Sequence, residues 1–139
     1  MTVRYVVCPL AELPPGERKI VNVGRRSIGV FNVNGELYAL RNRCPHKGAP
    51  LCQGIVRPLV TSPAPYKFAT EREGEILRCP WHGWEFEIAT GRSIFNPHRV
   101  RARSYDVSVE RGCDVNADEM LETFPVTVEQ EVVILHVPA

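Results

Sequence analysis

Two short segments of this chain, Cys44-Pro45-His46-Lys47-Gly48 and Cys79-Pro80-Trp81-His82-Gly83-Trp84, share an unusual combination of residue types. Each contains a thiol and an imidazole separated by one or two residues, with proline after the cysteine and glycine within two residues of the histidine. Proline restricts φ and stiffens a loop, whereas glycine lets the backbone approach a bulky group closely. Both segments follow strand-like sequence, so we expect them on two loops that begin at strand ends.

Four side chains in these segments, those of Cys44, His46, Cys79 and His82, are the predicted ligands of a metal centre. Two thiolates and two imidazoles bind a [2Fe–2S] cluster in which one iron takes both cysteines and the other takes both histidines. The same residue types also form structural zinc sites. The single residue between Cys44 and His46 is a shorter gap than zinc sites usually show, which favours the cluster and leaves zinc as the alternative.

The remainder of the chain is rich in short β-type runs, separated by 12 prolines and 10 glycines, without a sustained helical period. Asn34-Gly35 predicts a type I′ hairpin turn because both residue types tolerate positive φ. We therefore expect an all-β, antiparallel fold. The predicted strands are residues 3–8, 18–23, 26–33, 36–41, 75–78, 84–88, 92–95, 101–109, 121–128 and 131–137.

Residues 57–74 differ from their surroundings. Three prolines fall within residues 58–65, and a charged stretch follows at 71–74. We expect this stretch to be a surface insertion between the two segments, closed by a turn before a strand that contains Ile76.

The composition of the whole chain limits the classes of protein that it can be. With 139 residues, 44% of them hydrophobic and 24% charged, it is expected to form one domain. A net charge of +1 argues against a nucleic-acid-binding protein, which would carry a basic excess. No apolar run approaches the ~20 residues of a membrane helix, and the first residues lack the layout of a signal peptide. We expect a soluble, cytoplasmic protein with no membrane partner.

The remaining cysteines and histidines are expected to be structural. Five cysteines, an odd number, fit poorly with a secreted disulfide framework. Cys8 lies in an apolar run and is predicted to be a core thiol, and Cys52 and Cys113 are expected to be buried or inert. His136, in an apolar terminal run, is expected to be structural or at the surface.

The two segments resemble the cluster-binding boxes of Rieske proteins, above all Rieske ferredoxins and the Rieske domains of aromatic-ring-hydroxylating dioxygenase systems. The similarity covers most of the stretch from Val30 to Tyr105. It implies three antiparallel sheets within one domain of residues 1–139, with a cluster-binding subdomain at about 42–98 on a base domain. It also implies that Asn96-Pro97-His98 packs over the cluster. The 32 residues between His46 and Cys79 exceed the usual family spacer, and the insertion at 57–74 accounts for the difference.

The resemblance also implies a low reduction potential. High-potential Rieske proteins of respiratory complexes carry an extra cysteine in each box, joined as a disulfide, and a serine after the second-box glycine. This chain has Ala49, Trp81 and Trp84 at those positions, so it has neither the disulfide nor the hydroxyl group.

The expected function is one-electron transfer by a single bound [2Fe–2S] cluster. Oxygenase chemistry would require a further iron held by two histidines and a carboxylate, and only His98 and His136 follow the boxes. We therefore expect an electron-transfer component rather than an independent enzyme, taking electrons from a flavin reductase and passing them to an oxygenase or related oxidoreductase. The alternatives are a Rieske small subunit of another oxidoreductase, such as a nitrite-reductase-like one, and a zinc-stabilised binding module.

Overall fold

The structure is a computed structural model that describes residues 2–81, 83–122 and 124–138, excluding the side chain of Pro63. The described residues form nine strands and four 3₁₀ helices. The strands are β1 (Thr2–Pro9), β2 (Arg18–Val23), β3 (Arg26–Val33), β4 (Glu36–Arg41), β5 (Ile55–Ala64), β6 (Lys67–Arg78), β7 (Glu85–Glu87), β8 (Ser104–Arg111) and β9 (Glu131–Pro138). The 3₁₀ helices are Leu10–Glu12, Leu51–Gln53, Gly112–Asp114 and Ala117–Glu119. None of these described helices is long and apolar enough to cross a membrane.

The strands form a larger sheet in the order β1-β9-β8-β4-β3-β2 and a smaller one in the order β5-β6-β7, with antiparallel pairing throughout the named strands. Strand β8 changes its partner along its length, since Ser104 and Tyr105 pair with β4 and residues from Asp106 onward pair with β9. The larger sheet is therefore two antiparallel groups that share β8. The predicted all-β class, with three antiparallel groups of strands, is confirmed.

The turn between β3 and β4 follows directly from its two residues. Asn34 and Gly35 have φ values of 53° and 98°, as the predicted type I′ turn requires. Val33 pairs with Glu36 across the turn, and the ladder continues to Ile28 and Arg41. This hairpin sets the direction in which the chain leaves β4 and enters the first cysteine-containing segment.

Residues 57–74, expected to be a surface insertion, belong to a long hairpin of β5 and β6. The strand pairing is interrupted twice, between Thr61 and Ala64 near the tip and, with the larger shift, between Arg57, which pairs with Ile76, and Leu59, which pairs with Glu71. The residues left over on β6 form a bulge that contains Arg72 and Gly74 at positive φ. Strand β5 was not predicted because its sequence is rich in proline. Proline is nevertheless tolerated on an edge strand, at positions where no backbone N–H is needed for pairing with the neighbouring strand.

Two other predicted strands are wrong. Residues 92–95 form only single bridges, from Ser93 to Phe86 and from Arg92 to Arg101. The described part of 121–128 forms no strand, although Phe124 and Val126 pack against a buried group of Val6, Val132 and Ile134. The alternating apolar residues of this segment therefore pack against the core, although the segment does not pair with a sheet. Thr123 lies outside the described residues.

The core consists of three groups of buried side chains. The group that matters for the site contains Cys44, Cys52 and Cys79 together with Leu40 and Phe86. Cys8 is buried in a different group, as predicted. Cys52 is also buried, whereas Cys113 is exposed because it lies in a 3₁₀ turn at the surface.

Candidate cluster-binding site

The first cysteine-containing segment forms a compact turn after β4. The backbone N–H of Cys44 donates to the carbonyl of Ala49 at 2.8 Å, and the N–H of Gly48 donates to the carbonyl of Cys44 at 2.8 Å. Gly48 has a φ of 79°, which glycine adopts without the strain that a Cβ would cause. The turn therefore depends on glycine two residues after His46.

The second segment forms the same turn after β6. The N–H of Cys79 donates to the carbonyl of Trp84 at 2.7 Å, and the N–H of Gly83 donates to the carbonyl of Cys79 at 3.2 Å. Gly83 has a φ of 72°. The two hydrogen bonds join residues at the same offsets from each cysteine as in the first turn. The two turns are thus equivalent in these backbone hydrogen bonds despite the different cysteine-to-histidine spacings.

These turns bring two buried thiols together. Cys44 and Cys79 are 1% and 3% exposed, and their thiols lie within hydrogen-bonding reach of each other. Burial raises the pKa of the Cys44 thiol and the neighbouring Cys79 adds to this rise, while the backbone N–H groups of His46 and Lys47 donate to the Cys44 sulfur and oppose it. Neighbouring thiols with backbone donors suit a ligand that holds both sulfurs as thiolates.

His46 lies on the outer side of this thiol pair. Its ring stacks on Trp84, with ring centroids 4.7 Å apart and planes inclined by 23°, and its side chain is exposed. The cysteine side of the site is therefore buried and the His46 side faces solvent. The stack restrains the orientation of an imidazole that stands at the surface.

His82, the fourth predicted ligand, lies outside the described residues. In the part of the chain that is described, no three or more Cys, His, Asp or Glu side chains are arranged to hold a single metal ion. Among the predicted ligands, Cys44 and Cys79 are neighbours, and His46 stacks on Trp84 of the second segment. The complete ligand set of four residues stays a prediction.

Comparison with known proteins identifies the family. The family model of the Rieske [2Fe–2S] domain matches residues 3–106. The chain belongs to the Rieske [2Fe–2S] domain family. Its cofactor is accordingly a [2Fe–2S] cluster, as the two boxes predict, and not the zinc ion considered as the alternative.

This Rieske chain matches a small part of one much longer relative and most of another relative that is similar to it in length. It is 31% identical over 109 residues to apoptosis-inducing factor 3 of Mus musculus, covering 78% of the chain but 15% of that protein. It is 30% identical over 109 residues to the 3-phenylpropionate/cinnamic acid dioxygenase ferredoxin subunit of Escherichia coli strain K12, covering 78% of the chain and 88% of that subunit. A solved complex of reduced oxygenase and oxidised ferredoxin in carbazole 1,9a-dioxygenase matches with 28% identity and a TM-score of 0.57, over 76% of the chain and 92% of the matched one.

The described residues of the Rieske site fit this cofactor. The site offers two adjacent thiols, backbone donors directed at the Cys44 sulfur, and an imidazole on the first turn. Glycine at positive φ in both turns lets the backbone close around each cysteine without the strain that a Cβ would cause. Ala49, at one of the positions where high-potential relatives carry cysteine, is fully buried, and all five cysteines of the chain are free thiols.

The loop of residues 95–100, called the third loop below, contacts the site through a residue that the sequence did not lead us to expect there. Phe95 contacts Trp84 edge-on, with centroids 6.3 Å apart, and both residues line an open cleft of about 630 Å³. His98 is exposed. The sequence offered a signal for Phe95, since a large aromatic residue directly precedes Asn96-Pro97 in a loop.

Two arginines were also missed. The guanidinium groups of Arg43 and Arg78 lie beside Gly48 and Gly83, where an added Cβ would be 3.4 Å and 3.1 Å from the respective Nη2 atoms. Each arginine directly precedes a cysteine, so the repeated tripeptide Arg-Cys-Pro was the available signal. The paired turns therefore each carry a positive charge next to their glycine.

Proposed function

We propose that this Rieske protein is a one-electron carrier of the ferredoxin type, serving an oxygenase or a related oxidoreductase. One observation carries the proposal: two equivalent turns bury the thiols of Cys44 and Cys79 side by side and leave His46 at the surface. A site with this arrangement excludes water from the two sulfur atoms and exposes the imidazole to a partner protein. The near-complete coverage of the Escherichia coli ferredoxin subunit supports a carrier of similar size.

The proposed ligands are Cys44 and Cys79 for one iron and His46 and His82 for the other. The bound cluster supplies reversible exchange of a single electron. Two histidines in place of two cysteines remove two negative charges from the ligand set, which raises the reduction potential above that of four-cysteine sites. Trp84 orients the His46 ring by stacking on it, and the buried cysteine turns exclude water from the sulfur side.

The proposed partners are a flavin reductase as donor and an oxygenase or other oxidoreductase as acceptor. Support comes from what the relatives are named for, a dioxygenase ferredoxin subunit and a complex of oxygenase with ferredoxin. The proposed location is the cytoplasm, because an odd number of cysteines, all described as free, suits a reducing compartment. Fractionation of the native host should place the protein with cytoplasmic markers.

The test is the metal content and redox stoichiometry of the purified protein. We expect a red-brown protein with two irons and two acid-labile sulfides per chain, which takes up one electron in an anaerobic reductive titration. The Cys44→Ser and Cys79→Ser variants should lose the colour, whereas Cys113→Ser, at an exposed thiol outside the site, should keep it. A colourless protein containing zinc would overturn the proposal.

A further inference from the structure

The small net charge of this protein conceals a strong separation of charge along the chain. Residues 41–103, which include both cysteine turns and the third loop, contain eleven Lys and Arg against five Asp and Glu. Residues 104–139 contain one Arg against eight Asp and Glu. Residues 1–40 add five Lys and Arg against three Asp and Glu, so the total of +1 combines regions of opposite sign, and charge distribution rather than total charge governs electrostatic steering.

The basic side chains next to the site are available to a partner. Arg43, Lys47, Arg78 and Arg99 are exposed, and within the described residues none of them takes part in an ion pair. The carboxylate of Glu85, which follows the second turn, is paired with Arg57 at 3.3 Å. The positive charges around the two turns are therefore not compensated by neighbouring carboxylates.

Acidic residues of 104–139 lead away from the cysteine turns, and part of their charge is paired, since Arg4 contacts Glu110 and Glu119 and Lys19 contacts Glu122. Along the chain through β8 the sign changes, from Arg101 and Arg103 before the strand to Asp106 and Glu110 within it. Glu131 lines a cleft with Gly35, at the start of β4, whereas the first cysteine turn follows the end of β4. A strand of this length spans roughly 20 Å, so these acidic residues lie well away from the basic side chains around the two turns.

An apolar centre lies within the basic surface. Phe95 is 86% exposed and Trp81 is 58% exposed, and the open cleft between Phe95 and Trp84 lies beside Gly83. Exposed aromatic residues surrounded by charged ones are the usual composition of a protein-binding surface. We name Arg43, Lys47, Arg78, Phe95 and Arg99 together the cluster face.

We propose that the cluster face is the docking surface for an acidic surface of the redox partner, with the acidic end of the molecule turned away. The inference rests on the proposed electron-carrier function and specifies the chemistry of the partner. Carboxylates on the partner would meet the unpaired arginines and Lys47, while an apolar group would fill the cleft at Phe95. The unpaired positive charges of the cluster face would orient the encounter so that His46 approaches first, and added salt would weaken this orientation.

The experiment compares two charged electrodes as substitutes for an acidic and a basic partner. The cluster-loaded protein is adsorbed at low salt on gold coated with a carboxylate-terminated or an ammonium-terminated monolayer, with adsorbed mass followed by quartz microbalance. We expect adsorption on both surfaces, because the molecule has two charged ends. On the carboxylate surface we expect fast voltammetric exchange of one electron. On the ammonium surface, at equal adsorbed mass, we expect most of this voltammetric signal to be absent.

Matched variants locate the effect on the molecule. Lys47→Gln combined with Arg99→Gln should reduce both adsorbed mass and signal on the carboxylate surface. Lys67→Gln combined with Arg111→Gln removes the same total charge at exposed positions, at the start of β6 and the end of β8, which lie at the ends of these strands remote from the cysteine turns, and should leave both readouts close to those of the unchanged protein.

The possible outcomes separate this inference from the proposed function. A one-electron wave for the protein in solution, with equal signals on the two monolayers or a larger one on the ammonium surface, overturns the docking proposal alone. An equal effect of the two double variants also overturns it. Absence of a one-electron wave in solution, with no iron or sulfide bound, overturns the electron-carrier function itself.

Discussion

The thiol of Cys52 shows how position changes the chemistry of a residue. Its sulfur donates to the carbonyl of Leu40 at 3.3 Å, and an added Cβ on Gly29 would stand 2.6 Å from it. Burial raises the pKa of Cys52 to about 12, although the backbone of Gly29 and the charge of Arg18 act in the opposite direction. This thiol therefore stays protonated at physiological pH and packs as a small hydrophobic group.

Alkylation should distinguish the cysteines of the native protein. With iodoacetamide at pH 8, we expect rapid modification of exposed Cys113 and no modification of Cys8 or Cys52, because thiolate and access are both required. Peptide mass spectrometry after a timed quench measures the difference. The same reaction in denaturant should label all three, and native labelling of Cys52 at the rate of Cys113 would contradict its buried position.

The residues that replace the features of high-potential relatives set the expected reduction potential. Ala49 and Trp81 cannot form a disulfide, and Trp84 provides no hydroxyl group to the cluster sulfurs. We expect a midpoint potential of about −150 to 0 mV, the lower part of the Rieske range. Voltammetry of the purified protein measures it, and a value near +300 mV would show that other features of the site dominate.

At the scale of elements, ion pairs of Arg72 stabilise the bulge in β6. Arg72, at positive φ, contacts Glu75 at 3.2 Å and Glu87 on β7 at 2.7 Å. Glu87 also accepts a hydrogen bond from Thr90 at 2.9 Å. These contacts attach the irregular part of the hairpin to the strand that leads away from the second cysteine turn.

Stability at acidic pH should report this contact. Desolvation raises the pKa of the Glu87 carboxyl, but hydrogen bonds from Arg72 and Thr90 outweigh it and lower the pKa overall. The contribution is therefore present above the unfolded-state pKa of Glu and lost as pH falls through the lower folded-state value. We expect Glu87→Gln to cost about 0.5–1 kcal/mol at pH 7, a modest value because the pair is partly screened by solvent.

The measurement is urea unfolding of Glu87→Gln and the unchanged protein between pH 7 and pH 3. The difference in free energy of unfolding should shrink as the pH falls. Glu129→Gln, at an exposed position that takes part in no ion pair among the described residues, is the control and should change stability little. A constant difference across this range would argue against a charge interaction at Glu87.

Elements differed in how well the sequence predicted them. Strands β2, β3 and β4 begin and end at the predicted residues because hydrophobic runs and the Asn34-Gly35 turn act over a few neighbouring residues. Strand β5 was missed because prolines normally argue against a strand. They prevent pairing only at positions where the backbone N–H must donate to a neighbouring strand. The apolar alternation at 121–128 was misread as a strand, since packing against the core produces the same pattern as sheet pairing.

At the scale of the whole molecule, total charge was a misleading quantity. A net charge of +1 gives no indication of electrostatic steering, but residues 41–103 carry a net positive charge and residues 104–139 a net negative one. The separation depends on which residues share an end of the fold. The antiparallel course of β4 and β8 places Arg101 and Arg103 beside the end of β4, with the N–H of Arg41 bonded to the carbonyl of Arg103 at 2.8 Å.

The sequence by itself determined the family, the antiparallel class and the candidate ligands Cys44, His46, Cys79 and His82, because residue types at short spacings specify that chemistry. Tertiary structure decided the relations between distant residues. It made the two turns equivalent, stacked His46 on Trp84, brought Phe95 to the cleft and placed Arg43 and Arg78 beside the glycines. These relations join segments separated along the chain, and only the packed sheets bring such segments into contact.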